Sequence, residues 1–364
     1  MKRIVSVLVI VGASTFLKGC SHHASGLRAS SPLDVAVPAR TEPPVGRDPF
    51  FMPVEGIVTP YMPRVIIRNM CEDRAGNIWF ATYAGPIRYD GKEFRNFAEE
   101  AGLSGTRVFS LIATRAGELW FGSIAGGASR FSTDANGNVS VTRLTKHEGL
   151  CGNDVFWIFE DRDSNIWFAT EGGVSRYDSK SMITLTIKDG LIHNSVYAIA
   201  QDAAGRIWFG TQGGICSYDG TKLSNFADIV GRQFNNIRSI VIDRAGNVWF
   251  GGEQGAFRYD GRSLESYTFH SGLLDDFVGS MIIDRSGRVW IGHPGSSRLA
   301  GGGASVFDGT SFKHISKKDG LGSVTVYGML EDRAGNIWFA SIDSGVCRFD
   351  GKSFTYYSTD APSP

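Results

Sequence analysis

Seven tryptophans, Trp79, Trp120, Trp167, Trp208, Trp249, Trp290 and Trp338, recur at spacings of 41, 47, 41, 41, 41 and 48 residues. A period near 40 marks a repeat architecture, and the pattern within one period decides which kind. Residues 196–226 show that pattern. Val196-Tyr197-Ala198-Ile199-Ala200 is apolar and β-prone, which suits a strand buried on both faces. Asp202-Ala203-Ala204-Gly205 is a turn, with an Asp able to bond its own backbone and a Gly free to take a positive φ. Ile207–Thr211 is a second strand, Ile215–Tyr218 a third, and Asp219-Gly220 turns the chain into a fourth from Lys222 to Phe226. With 46 Gly residues and 12% aromatics, the composition also favours short strands and tight turns over long helices. Seven such periods predict an all-β fold, a seven-bladed β-propeller of four-stranded antiparallel blades spanning residues 61–361.

The other copies keep the same grammar. The first turn carries Asp73, Asp161, Asp202, Asp243, Asp284 and Asp332, with Thr114 as the exception. A Gly-Leu pair precedes the next blade at Gly102-Leu103, Gly149-Leu150, Gly190-Leu191, Gly272-Leu273 and Gly320-Leu321. The run Asp-Arg-x-Gly-Asn-Ile-Trp-Phe, followed by Gly-Gly-Val-x-Arg-Tyr-Asp-Gly, resembles the two-component regulator propeller repeat over about residues 65–358. That repeat builds the extracytoplasmic sensor region of bacterial hybrid sensor kinases. The resemblance implies a ligand- or partner-binding sensor propeller. No kinase core or receiver follows Pro364, so a free-standing form is expected whose signal passes through a partner.

The N-terminus reads as an address. Lys2 and Arg3 precede an apolar stretch ending in Leu17-Lys18-Gly19-Cys20, a secretory signal of residues 1–20. Its end resembles a bacterial lipobox, from which lipidation of Cys20 is expected, although Lys18 departs from the usual pattern. Ser21 resembles the outer-membrane sorting class of Gram-negative bacteria, which places the protein on the periplasmic side of that membrane or at the cell surface. Residues 21–60, rich in Ser, Ala and Pro, read as an extended tether. The membrane is then met through the lipid only.

Residues that repeat in every blade do the same structural work in each, so a site is sought where equivalent positions disagree. The Trp residues are assigned to packing between blades and the turn Asp residues to turn formation. Five residues before each first turn stand Arg68, Phe109, Phe156, Tyr197, Arg238, Gly279 and Tyr327, with Arg107 just upstream of one of them. The loop after each Trp, on the same face, supplies Tyr83, Glu171, Gln212, Glu253, His293 and Asp343. Aromatics, Arg and amides around a funnel mouth suit a small polar ligand with flat apolar faces, a sugar or an aromatic metabolite, or else an envelope protein. The longer spacings locate a hairpin around Asn136-Gly137 on the opposite face and a Gly-rich stretch from His293 to Gly303 on the ligand face, read as a surface excursion or a lid.

Other chemistries find little support. Among the seven His residues there is no zinc-type spacing, and no metal or cofactor is expected. A net charge of zero argues against nucleic acid. A monomer is expected. The alternatives to a sensor are a scaffold for another envelope protein and a metal-assisted lyase of the streptogramin-lyase kind, for which Glu253, His270 and His293 would supply the cluster. Cys71, Cys151, Cys216 and Cys347 read as free thiols, since Cys216 and Cys347 share a strand position in blades three apart.

Overall fold

The computed structural model describes residues 58–63, 65–103, 106–133, 139–295, 302–322, 325–341 and 345–357. The leader, Cys20 and the tether up to residue 57 lie outside these residues, as do Asn136, Gly137, Asp343 and positions 296–301. The strands form seven antiparallel sheets, each built from consecutive segments of the chain, as expected of a seven-bladed propeller.

Blade 4 shows how the residues dictate the unit. Its strands are Val196–Gln201, Ile207–Thr211, Gly214–Tyr218 and Leu223–Asn225. Between the first two, Asp202 Oδ1 accepts the backbone N–H groups of Ala204 and Arg206, both at 3.0 Å, and Gly205 turns the chain at φ 88°. The Asp219 carboxylate caps the outer hairpin in the same way, taking the N–H groups of Thr221 and Lys222 at 2.8 and 2.7 Å. The second strand of the blade is buried along its whole length, which is why it reads as an unbroken apolar run.

The Trp at the centre of that strand reaches across to the following blade. Trp167 lies 5.8 Å from Phe209, Trp120 lies 5.4 Å from Phe168, and Trp290 lies 5.9 Å from Phe339, all between ring centroids. Each Trp therefore anchors a hydrophobic cluster between successive blades, as its repetition suggested. The turn Asp has a second task that its spacing alone does not reveal. In six blades it accepts the indole N–H of the Trp six residues on, at 2.7 to 3.0 Å, from Asp73–Trp79 through Asp332–Trp338.

Polar contacts link the blades on the side of these turns. The backbone N–H of Arg162 donates to Gln201 and its guanidinium to the carbonyl of Ala203, both at 2.9 Å. Arg285 reaches blade 7 likewise, through Glu331 and the carbonyls of Asp332 and Arg333. Arg333 closes the ring with the same pair of contacts to Glu72 at 2.7 Å and to the carbonyl of Arg74 at 2.8 Å.

The seam between blades 7 and 1 thus needs no exchanged strand. Trp338 packs on Phe80 at 6.2 Å, Tyr357 stacks on Trp338 at 5.2 Å, and the Met62 N–H donates to the Tyr357 carbonyl at 2.6 Å. The Gly-Leu pairs that begin at Gly149, Gly190, Gly272 and Gly320 end short 3-10 turns. At Gly190 the left-handed φ of 101° returns the Leu191 N–H to the Thr186 carbonyl and buries the Leu191 side chain.

Two boundaries differ from the sequence reading. Val58–Thr59, assigned to the tether, pairs with Phe94 and Arg95 as a fifth strand outside blade 1. The outer strand of blade 4 stops at Asn225, and Phe226–Val230 forms a helix capped by Asn225. That helix replaces the Gly-Leu turn missing between blades 4 and 5, because Phe226 is drawn into the core against Trp208 and Phe250. The wide spacing in blade 2 comes, as expected, from a longer hairpin, with outer strands Gly127–Thr133 and Val139–Leu144.

Candidate functional site

The first strand of each blade lines the central channel, and its opening residues carry a local irregularity. In blades 1 to 4 the register with the second strand slips by one, as where Ile67 pairs with Thr82 but Asn69 pairs with Ala81. The residues left over are Arg68, Phe109, Phe156 and Tyr197. A bulge of this kind bends the strand and re-aims the extra side chain, so these positions face the channel, and of their successors Asn69 and Trp157 do so too.

The equivalent residues meet in order around the mouth. The Arg68 guanidinium lies 4.5 Å from the Tyr327 ring centroid on one side and 4.9 Å from Phe109 on the other. Phe109 contacts Phe156 at 5.7 Å, Phe156 contacts Tyr197 at 5.3 Å, and Arg238 stacks over Tyr197 at 4.0 Å. Six blades contribute to this arc. Blade 6 interrupts it at Gly279, where an added Cβ would come within 2.5 Å of Pro294.

These residues enclose a cavity of about 290 Å³. Arg68 and Arg238 are the charged residues among those described that line it, with Asn69, Ser239 and Ser280 as neutral polar groups and no carboxylate. The Nε atoms of both arginines are buried without a hydrogen-bond partner. Arg68 also donates to the Tyr83 hydroxyl at 3.1 Å, and the Arg107 guanidinium lies over the Tyr83 ring at 5.4 Å from its centroid.

The sequence-predicted residues divide accordingly. Arg68, Phe156, Tyr197, Arg238 and Tyr327 line the cavity, and Tyr83 with Arg107 extends the cluster outward from Arg68. Glu171, Gln212 and Glu253 do not line it. Glu171 is half-buried and accepts the backbone N–H groups of Asn153 and Asp154 at 3.0 and 2.9 Å. The Gln212 carbonyl accepts the Asn236 N–H at 2.9 Å, and the Glu253 carboxylate accepts the Asn236 amide. All three hold loops between neighbouring blades.

His293 is a correction. It ends the strand Val289–His293 inside blade 6 and is fully buried. Its Nδ1 faces the Phe277 carbonyl at 3.0 Å and its Nε2 the Ser305 hydroxyl at 2.9 Å. Burial pushes its pKa down to about 4, so the ring is a neutral core group. Three residues after Trp290, it occupies the place of Thr82, Thr170 and Thr211, and Pro294 is the true counterpart of Tyr83.

Several lining residues escaped the sequence reading, among them Asn69, Ser239, Phe277 and Ser280, and the largest of them is Trp157. Trp157, the eighth Trp and the one outside the periodic series, lines this cavity and also the hollow at the other end of the channel. Its counterparts are Asn69, Ser110, Ala198, Ser239, Ser280 and Gly328, all small or short. That single large exception was the available signal. Glu253, His270 and His293 do not assemble: among the described residues no three His, Cys, Asp or Glu side chains come together to hold a metal. Cys71, Cys151, Cys216 and Cys347 are all free.

Fold and channel together define a seven-bladed propeller with a polar-aromatic mouth. The model of the two-component regulator propeller family matches residues 61–84, 149–172, 190–213, 231–254 and 320–343, so the chain carries the repeat of that family. The extracellular domain of a hybrid two-component system from B. thetaiotaomicron is similar at 25% identity, with a TM-score of 0.66 over 80% of this chain. The match spans 39% of that neighbour's length. Virginiamycin B lyase from Staphylococcus aureus matches with a TM-score of 0.59 at 13% identity, over 80% of this chain and 98% of the lyase, a likeness of fold alone. No curated protein matches the sequence. The likeness to the extracellular domain of a hybrid two-component system is consistent with an exported protein, and no helix among the described residues is long and apolar enough to cross a membrane.

Proposed function

We propose that this chain is a sensor-type propeller that binds a small polar ligand with flat apolar faces, a sugar or an aromatic metabolite, at the mouth of its central channel. The observation that carries the reading is the unbroken arc from Tyr327 through Arg68, Phe109, Phe156 and Tyr197 to Arg238. Residues that repeat for structural reasons are the same in every blade. These differ from blade to blade, yet they converge on one cavity of about 290 Å³, a volume near the lower end of small-ligand sites. The protein is exported and held to a membrane by a lipid on Cys20, and it acts as a monomer that passes its signal to an envelope partner.

A thermal-shift screen of the full chain against glycans and aromatic metabolites tests the site. A ligand at 100 times its Kd raises stability by about 2.7 kcal/mol. Arg68→Ala and Arg238→Ala should each reduce the shift. If no compound moves the transition, or the variants respond as the parent does, the mouth is not the site. The anchor is tested separately: Cys20→Ala should move the protein from the membrane to the soluble fraction, and unchanged membrane association would refute lipidation.

A further inference from the structure

We infer that the ligand of the channel mouth is an anion, carrying a carboxylate on or beside a flat ring; the inference rests on the reading of the mouth as a ligand site. Two guanidinium groups, Arg68 in blade 1 and Arg238 in blade 5, line one cavity to which no described carboxylate contributes. An Arg in such a place ordinarily meets an acid. Elsewhere in this molecule several arginines do so, as in Arg206–Asp202 at 2.7 Å and Arg288–Asp284 at 2.6 Å.

Here each guanidinium carbon lies over aromatic rings, Tyr327 and Phe109 at 4.5 and 4.9 Å from Arg68 and Tyr197 at 4.0 Å from Arg238. A ring beside a guanidinium accepts none of its N–H hydrogen bonds in the plane, so the edge where those donors lie is left for an acceptor. The Nε of each Arg is buried and unpartnered, as it also is in Arg88, Arg130, Arg176 and Arg348, each over an aromatic ring; what sets Arg68 and Arg238 apart is that they line the cavity. A carboxylate satisfies such an edge with paired charge-assisted hydrogen bonds.

The rest of the cavity matches the other half of the ligand. Phe156, Trp157, Phe277 and Tyr197 offer apolar surface to a ring, and Ser280 a hydroxyl with no partner among the described residues, while the Ser239 hydroxyl already accepts the Met281 N–H at 2.9 Å. At about 290 Å³ there is room for one or two rings. An acidic sugar and an aromatic acid share this chemistry.

Isothermal titration of the full chain at low ionic strength separates the sources with two probe pairs. One is a uronate disaccharide with its carboxyl-reduced form, and the other is phenylacetate with 2-phenylethanol. In at least one pair the acid should bind roughly tenfold or more tightly than the alcohol. That preference should shrink as salt is added and disappear in Arg68→Met/Arg238→Met, with the alcohol's affinity little changed. Arg238→Lys, which keeps the charge without the fork, should retain part of it, and near-UV circular dichroism checks that each variant is folded. If acid and alcohol bind alike, or the preference survives the double substitution, the inference falls. Should both members then weaken together in Tyr197→Leu, the mouth remains a ligand site for a neutral molecule. If no probe of either pair binds, the anion inference is overturned, and the wider screen judges the site on its own.

Discussion

Thr114 stands six residues before Trp120, in the place of the Asp that the other blades set before their Trp, and the Trp120 indole N–H is buried with no acceptor among the described residues. Thr114 still makes the turn, its hydroxyl accepting the Glu118 N–H at 3.0 Å. The hydroxyl does not extend to the indole as a carboxylate does in the other blades. Glu118 also departs from the series, since its counterparts Asn77, Asn165, Arg206, Asn247, Arg288 and Asn336 donate side-chain hydrogen bonds to the turn Asp. An Asp at 114 would face an acid at 118.

The two exceptions are therefore coupled. Thr114→Asp alone should be neutral or destabilising, whereas Thr114→Asp with Glu118→Asn should raise stability by about 1 kcal/mol, the net worth of a hydrogen bond to a buried donor. Guanidinium melts of the parent, the singles and the double measure this. A double variant no better than the sum of the singles would refute the coupling.

Closure of the ring makes a second prediction. Trp338 meets Phe80 across the seam as Trp167 meets Phe209 within the array, and both Trp side chains are 2% exposed. Trp338→Ala and Trp167→Ala should each cost about 3–5 kcal/mol, through lost burial and the cavity left behind. A much smaller cost at Trp338 would mean that the seam is held by something other than this packing.

His293 gives stability a pH dependence. Its pKa falls from 6.5 to about 4 in the folded protein because burial penalises the charged ring, with Asp275, Asp276 and His314 as nearby charges. Between these values the unfolded chain binds a proton that the folded protein does not. The stabilisation is then complete above pH 6.5 and is lost as pH falls toward 4, by about 3 kcal/mol at most. His293→Gln should flatten the stability curve across that window. An unchanged slope would show that other groups set it.

Cys216 and Cys347 should be inert in the native state. Both are buried, and desolvation pushes their thiols up to about 12, so almost no thiolate forms near neutral pH. Titration with a thiol reagent should reach them only after denaturant is added. Rapid native labelling at either position would contradict the burial.

Much of the fold was legible because it is written locally. A turn Asp bonds N–H groups two to four residues on, a Gly takes a left-handed φ where the next strand must reverse, and a Trp falls at a constant distance from both. The site was legible only in part. Arg68, Phe156, Tyr197, Arg238 and Tyr327 emerged from aligning the blades with one another, and they do line the cavity. Glu171, Gln212 and Glu253 were one loop too far out, and His293 was one residue out of register.

By itself, then, the sequence determined the number of blades, their strand order, the turns between them and the packing role of the seven periodic tryptophans. Each of these depends on neighbours within about one repeat. Tertiary structure decided which of the varying residues face one another. Arg68 meets Tyr327 and Phe109 only because the ring brings the last blade back to the first, and a one-residue bulge aims the side chain into the channel. It also decided that Trp157, a lone departure from a column of small residues, lines the cavity as well as packing against the core between blades 3 and 4. A period along the chain specifies each blade, but closure of the ring sets what the blades share at their centre.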